Sequence, residues 1–294
     1  MRLKYITKFL GAAACGLVAF AACSDEYLDK KVDVSETQEK VYSDSTKVAN
    51  VVNDFYSNIG YSYNYKRFGQ CGLDFPAKEL EARGAALSMG MYLAQGTVNV
   101  NNAGDDAWVN TYKKWRAINI FMNNYNEGKI ASILSSDPNK PGELLTKATI
   151  EYWKGQAFFL RAWYIAIMIK HYGGIPLIGD QVYTENDKID VPRSTYGESV
   201  QYAVDQCDSA FYYLERSGHI YSQATVNPVG GIHGKSEGRA CGMAALALKA
   251  RILLYAASPL VNCKREDDPE LLVSYGSNDP NRWQIAYAAV KKFI

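Results

Sequence analysis

No stretch of this chain is apolar for long enough to cross a bilayer, which takes roughly 20 residues as a helix. The most apolar internal run, Ala162 to Ile169, is closed off by Arg161 and Lys170. Charge of one sign is missing too: 32 Lys and Arg face 31 Asp and Glu, so the basic surface that a nucleic-acid partner needs is absent. Histidine is scarce, with His171, His219 and His233 scattered, and no H-E-x-x-H or C-x-x-C pattern occurs. These absences remove the usual zinc-hydrolase and thiol-redox readings. Asp and Glu are plentiful, yet no pair stands out as general acid and base. Gly230 to Ser236 reads GGIHGKS, but Val229 stands where a phosphate-binding loop needs glycine, so the segment reads as a glycine-rich loop. The acidic run Glu266-Asp267-Asp268 reads as a solvated loop before it reads as a calcium site. The expectation is a chain with no catalytic residues, no metal and no cofactor.

The N-terminus carries the first positive signal. Arg2, Lys4 and Lys8 precede an uncharged run from Phe9 to Ala22, which matches the roughly 7–15-residue apolar region of a signal peptide. Phe20-Ala21-Ala22-Cys23 resembles the lipobox of bacterial lipoproteins, which implies cleavage before Cys23 and acylation (palmitate or a similar chain) of its thiol. Phe20 stands where Leu is usual. Cys15, after three alanines, is a rival attachment point, and an ordinary signal peptide with an incidental cysteine is the plain alternative. Several acyl chains on one cysteine would anchor the protein firmly. The expected division is a signal peptide over 1–22, a lipid-anchored tether over 23–36, and a folded domain over 37–294. Cys71, Cys207, Cys241 and Cys263 lie far apart and read as free thiols.

Helical periodicity dominates the body. Val41, Val48, Val52, Phe55 and Ile59 share one face, as do Trp108, Tyr112, Trp115, Met122 and Tyr125. The longest stripe is Ile150, Trp153, Ala157, Leu160, Tyr164 and Ile167. It stops at Lys170-His171, with Gly173-Gly174 and Pro176 beyond. Thr195-Tyr196-Gly197-Glu198 is a capping-box sequence opening a helix with Val200, Ala203, Cys207, Phe211 and Leu214. Met243, Ala247, Ala250, Leu254 and Ala257 form the next stripe. Asp279-Pro280 caps the last, with Trp283, Ala286, Val290 and Phe293. Leu160-Arg161-Ala162 recurs as Leu248-Lys249-Ala250, each within an Ala-rich helix followed by a second helix. The fold class expected is mainly α: tetratricopeptide-like helical hairpins in a superhelical scaffold with long irregular loops.

Taken in order, these blocks resemble the SusD/RagB family of Bacteroidetes outer-membrane lipoproteins. Phe159-Leu160-Arg161-Ala162-Trp163-Tyr164 running into His171-Tyr172-Gly173-Gly174-Ile175-Pro176-Leu177 is similar to the family's strongest signature. Val191-Pro192-Arg193-Ser194-Thr195, Gly238-Arg239-Ala240 with Ala247 to Arg251, and Trp283 with Ala286, Ala288 and Ala289 match the blocks that follow. Tyr112, Ile118 and Asn119 match a looser pattern upstream. The resemblance implies a nutrient-binding lipoprotein on the outer face of the outer membrane. It captures a glycan or oligosaccharide and delivers it to a SusC-like TonB-dependent transporter. Family members run considerably longer, and Ile294 falls inside an apolar-striped helix, so the domain is expected to be C-terminally truncated.

The ligand candidates follow from ring chemistry. The chain has 22 Tyr against 10 Phe, an excess of rings with an apolar face and a polar tip. Sugar C–H patches pack on such faces while hydroxyls seek nearby donors and acceptors. Tyr63 and Tyr65, Asp74 and Arg83 in the irregular segment after them, and Trp108 at a helix start are the expected contacts. Tyr112, Trp153 and Tyr164 are expected to be packing residues. Capture of peptides or glycopeptides by the same scaffold is the alternative, and a helical-repeat adaptor without a small ligand is another. The anchor reading makes one direct prediction: Cys23→Ala moves the protein from the membrane to the soluble fraction on fractionation. Unchanged fractionation, or fatty-acid labelling of the variant, points instead to Cys15.

Overall fold

The backbone amides that open each helix are satisfied by side chains where the sequence offers them, and this sets the element boundaries. The computed structural model describes residues 36–57, 59, 96, 97, 99, 107–126, 128–130, 133, 145–221 and 238–294. Seven helices and no strand occur among them: α1 (Gln38–Tyr42), α2 (Ser45–Asp54), α3 (Ala107–Asn126), α4 (Lys147–Tyr172), α5 (Tyr196–Arg216), α6 (Gly242–Ala257) and α7 (Asn281–Phe293). Residues 1–41 form one unit, of which only 36–41 are described; residues 42–294 form the other.

Asp44 caps α2 by accepting from the amides of Thr46 (2.7 Å) and Lys47 (3.2 Å). Thr146 caps α4 through the Thr149 amide. At α5 the capping box is complete: the Glu198 amide donates to Thr195 Oγ1, and the Glu198 carboxylate accepts from the Thr195 amide at 2.8 Å. The Thr195 amide and hydroxyl, both donating to that carboxylate, hold it below its ordinary value. Asp279 accepts from the Asn281 amide ahead of α7.

Side-chain pairs give the direction of packing. Between α4 and α5, Glu151 meets Arg216, Phe158 stacks on Tyr213 and Arg161 reaches Gln206. Numbers rise on one helix as they fall on the other, so the pair is antiparallel. The same holds for α3 against α4, where Tyr125 faces Lys154, Asn119 faces Arg161 and Trp108 faces Tyr172. Across α5 and α6, Lys249 meets Asp208, and the Gly242 amide donates to the His219 carbonyl just past the end of α5. Sequential helical hairpins of the tetratricopeptide-like kind result, with α4 and α6 as the first helices of successive hairpins. The core contains Val48, Val52, Phe55, Trp115, Ile118, Phe121, Leu160, Ile165, Met168 and Leu214, each under 2% exposed. Burial of each such side chain contributes roughly 1.5–3 kcal/mol against exposure.

Two stripes differ from the sequence expectation. On α6, Leu254 is 49% exposed, and the buried face runs through Ala245, Leu248, Ile252 and Ala256 together with Ala250 and Ala257. Alanine is small enough to sit on either side, so the periodicity of this helix did not single out one face. On α7 only Ala286 and Ala289 are fully buried, while Trp283 and Phe293 are 45% and 40% exposed. The acidic run differs as well. Asp268 is buried, accepting from the Leu272 and Val273 amides and from Ser274 Oγ, while Asp267 pairs with Arg265 and Glu266 with Lys264. Asp268 anchors a turn, while the side chains of Glu266 and Asp267 are 88% and 71% exposed, as in a solvated loop.

The Gly-Gly motif after α4 is explained by that turn. Gly173 ends α4 at φ 73°, donating to the Ile169 carbonyl, and a Cβ there would stand 2.2 Å from the Leu272 carbonyl oxygen. Gly174 donates to the same carbonyl at 2.6 Å, and a Cβ on it would lie 2.0 Å from the Ser194 carbonyl oxygen. Arg193 binds the other side, donating from Nε to the Gly174 carbonyl and from Nη2 to the Tyr172 carbonyl. Three distant segments thus meet backbone to backbone. Gly174→Ala should therefore cost about 1–3 kcal/mol, read as a melting-temperature drop of several degrees; a melt that overlays the wild type would show that the backbones have room to part.

Candidate functional site

The start of α3 projects its rings toward the end of α4. Trp108, in the first turn, is half-buried; its ring centroid lies 5.3 Å from that of Tyr112 and 5.3 Å from that of Tyr172, edge-on to the latter. Tyr112 stacks on Trp115 at 5.8 Å and 3°, and Trp115 tilts against Tyr202 on α5 at 5.6 Å. Five rings from three helices therefore run in one cluster, in the order Tyr202, Trp115, Tyr112, Trp108 and Tyr172. Polar tips tie the stack to the loop after α4. Tyr112 Oη donates to the Pro176 carbonyl at 2.8 Å, and Trp115 Nε1 to the Gly179 carbonyl at 2.9 Å. Burial pushes the Tyr112 phenol well above its ordinary pKa against the pull of Arg193, and does the same to Tyr202 against Arg161. The Tyr112 phenol therefore stays neutral and keeps its donation to the Pro176 carbonyl across the physiological range.

Beneath the stack lies a buried guanidinium. Arg161 is 2% exposed and spends its donors on three elements: Nε on Gln206 of α5 (2.7 Å), Nη1 on Asn119 of α3 (3.0 Å) and on Asp180 of the loop (2.6 Å). Asn119 completes the tie, donating to the Gly179 and Gln181 carbonyls at 3.0 and 2.8 Å. The loop that receives the Tyr112 and Trp115 bonds is thereby fixed from below.

A second feature is a cavity of about 450 Å³ between α4, α5, α6 and the turn at 258–261. Trp163 forms part of its wall, and the indole Nε1 is shielded from solvent with no hydrogen-bond partner among the described residues. No group of three or more His, Cys, Asp or Glu that could hold a metal ion occurs among the described residues.

Of the contacts expected from sequence, Trp108 is the one that the structure describes, and it sits between Tyr112 and Tyr172 in the ring cluster. Tyr63, Tyr65, Asp74, Arg83 and the lipid-attachment candidate Cys23 lie outside the described residues, as does Gly230 to Ser236. Tyr164 and Trp153 are core residues, 2% and 7% exposed, with Tyr164 Oη donating to the Phe55 carbonyl. Tyr112 is half-buried and belongs to the stack itself. Cys207, Cys241 and Cys263 are free thiols. The cavity is not legible in the sequence: its walls come from four segments, and no local pattern marks them.

Residues 26–226 match a family model, SusD-like, described as starch-binding associating with outer membrane. The chain belongs to the SusD-like family. Solved SusD-like proteins share the fold at low identity. A SusD-like protein of Bacteroides fragilis is 24% identical with a TM-score of 0.51, over 75% of this chain and 37% of that one. Surface glycan-binding protein A of Bacteroides uniformis is 16% identical with a TM-score of 0.52, over 83% of this chain and 45% of its own. A laminarin-binding SusD-like protein is 13% identical with a TM-score of 0.54, over 76% and 46%. This chain therefore spans less than half the length of each of these SusD-like structures. A search of curated proteins returned no match.

Proposed function

We propose that this SusD-like chain captures glycans at the outer surface of the outer membrane, without cleaving them, and hands them to a SusC-like TonB-dependent transporter. Lipid on Cys23 holds it to the membrane, with residues 23–36 as the tether. The observation that carries the reading is Trp108: a half-buried indole held between Tyr112 and Tyr172 in a five-ring cluster, in a chain whose family is described as starch-binding. The fold shared with a laminarin-binding protein and a surface glycan-binding protein supports the same class of ligand.

The chemistry is capture by stacking. A pyranose presents axial C–H bonds on one face, which pack on an indole while the ring hydroxyls remain free to bond with polar neighbours. A platform held rigid by its own ring neighbours loses little conformational freedom on binding, which favours affinity from few contacts. Tyr63, Tyr65, Asp74 and Arg83 are proposed to add further rings and polar contacts.

Calorimetric titration of the full chain with laminari- and malto-oligosaccharides and with a peptide panel tests the class, and Trp108→Ala tests the site. The expected result is glycan binding that weakens about fivefold or more in the variant, on the order of 1 kcal/mol, with unchanged helical circular dichroism. Binding to peptides and to no glycan overturns the class. Glycan binding indifferent to Trp108→Ala removes this residue from the site.

A further inference from the structure

Lys154 is 9% exposed, on the face of α4 that lies between α3 and α5. Its Nζ stands 3.9 Å from the ring centre of Tyr125 on α3 and 4.6 Å from that of Tyr213 on α5. It makes no hydrogen bond and no ion pair among the described residues. The only shielded side-chain polar atom without a partner among those residues is Trp163 Nε1, so Lys154 Nζ, which also lacks one, is open to solvent. Ring faces attract the charge of an ammonium but answer its N–H donors weakly, and Lys154 has three of them. A cation nine-tenths buried with its donors unanswered by the protein costs stability. Packing alone would favour Met or Leu at this position.

The surroundings are aromatic and cationic. Tyr213 stacks on Phe158 at 5.6 Å and 6°, and Tyr212 meets Tyr213 edge-on at 5.1 Å while staying 50% exposed. Arg216 donates to Tyr212 Oη at 3.1 Å and to Glu151 at 3.0 Å. Glu151 is the one carboxylate in these contacts, and Arg216 and Lys147 both pair with it, which leaves the charge of Lys154 uncompensated. At 1.5 Å per residue, Tyr125 and Trp108 on α3 are about 25 Å apart, so this cluster is separate from the one that holds Trp108.

We propose, resting on the glycan-capture reading for the sugar itself, that this cluster is a second subsite and takes a hexuronate residue. The sugar carboxylate accepts from Lys154 in charge-assisted hydrogen bonds. The C–H face of that residue, or of the next one in the chain, packs on the exposed Tyr212 ring. A neutral sugar offers the ammonium only hydroxyl acceptors, whose bonds are about half as strong. A small carboxylate such as acetate has no face for the rings to meet.

Calorimetry of the full chain with trigalacturonate and trimannuronate tests the subsite, with the trimethyl ester of trigalacturonate and maltotriose as neutral controls. The expected result is saturable uronate binding, at least about tenfold tighter than that of the ester and weaker as salt is raised. Lys154→Met keeps an apolar stem and removes the charge. It should erase the preference for acid over ester while leaving the melting temperature unchanged or higher. Tyr212→Ala, at an exposed position, should weaken uronate binding about fivefold. Absence of saturable uronate binding, equal affinity for acid and ester, or a preference indifferent to Lys154→Met overturns the proposal. So does a melting temperature several degrees lower in Lys154→Met, which would make the ammonium a support of the fold. Maltotriose binding without binding of either uronate overturns the subsite and keeps glycan capture. Uronate binding that depends on Lys154 upholds the subsite even where Trp108→Ala leaves neutral glycans untouched.

Discussion

A guanidinium placed where water cannot reach is costly unless every donor direction is answered, and Arg161 is such a group. Its partners come from α3, from α5 and from the loop after α4, so the charge is satisfied only when all three are in place together. Breaking any one bond leaves a buried charge short of a partner, which costs far more than one surface hydrogen bond contributes. The arginine therefore acts as a specificity device: it admits a single arrangement of three segments around α4. Phe158, 5.2 Å below the guanidinium, closes the remaining side with the face of its ring.

The rest of the domain is arranged around that tie. Asn119, held by Arg161, grips the carbonyls of Gly179 and Gln181, and the same loop receives the Trp115 and Tyr112 bonds. The ring cluster that contains Trp108 and the buried charge are thus tied to the same loop. On the opposite side of α5 the second hairpin repeats the device in weaker form. Lys249 stands where Arg161 stands in the first, but it reaches Asp208, whose side chain is 53% exposed. An ion pair in such a setting contributes roughly 0–1 kcal/mol. The cavity at Trp163 lies between α4, α5 and α6.

How much of this was legible in the sequence depends on the range of the interaction involved. Helix ends are local matters of capping, and Thr195 with Glu198, and Gly173 after Lys170-His171, marked them correctly. The recurrence of Leu-Arg-Ala and Leu-Lys-Ala pointed to repeated hairpins, and both basic residues turn toward the shared α5. What the sequence concealed is long-range. That Arg161 is buried follows from Asn119, Asp180 and Gln206, 42, 19 and 45 residues away. That the double glycine must be glycine follows from backbone at 194 and 272. Asp268 reads as one acid among three until its amide partners are seen. The alanines of α6 carried no directional signal, so its exposed Leu254 was placed on the wrong side.

Arg161 couples α3 to α4 and α5 through shared hydrogen bonds, and a double-mutant cycle measures that coupling. Urea unfolding of the wild type, Arg161→Ala, Asn119→Ala and the double variant gives the interaction energy directly. The expected coupling is about 1–3 kcal/mol, with the double variant less destabilised than the sum of the singles. Additivity within about 0.3 kcal/mol would contradict it, showing that the two residues stabilise the domain independently and that the buried arginine ties nothing together.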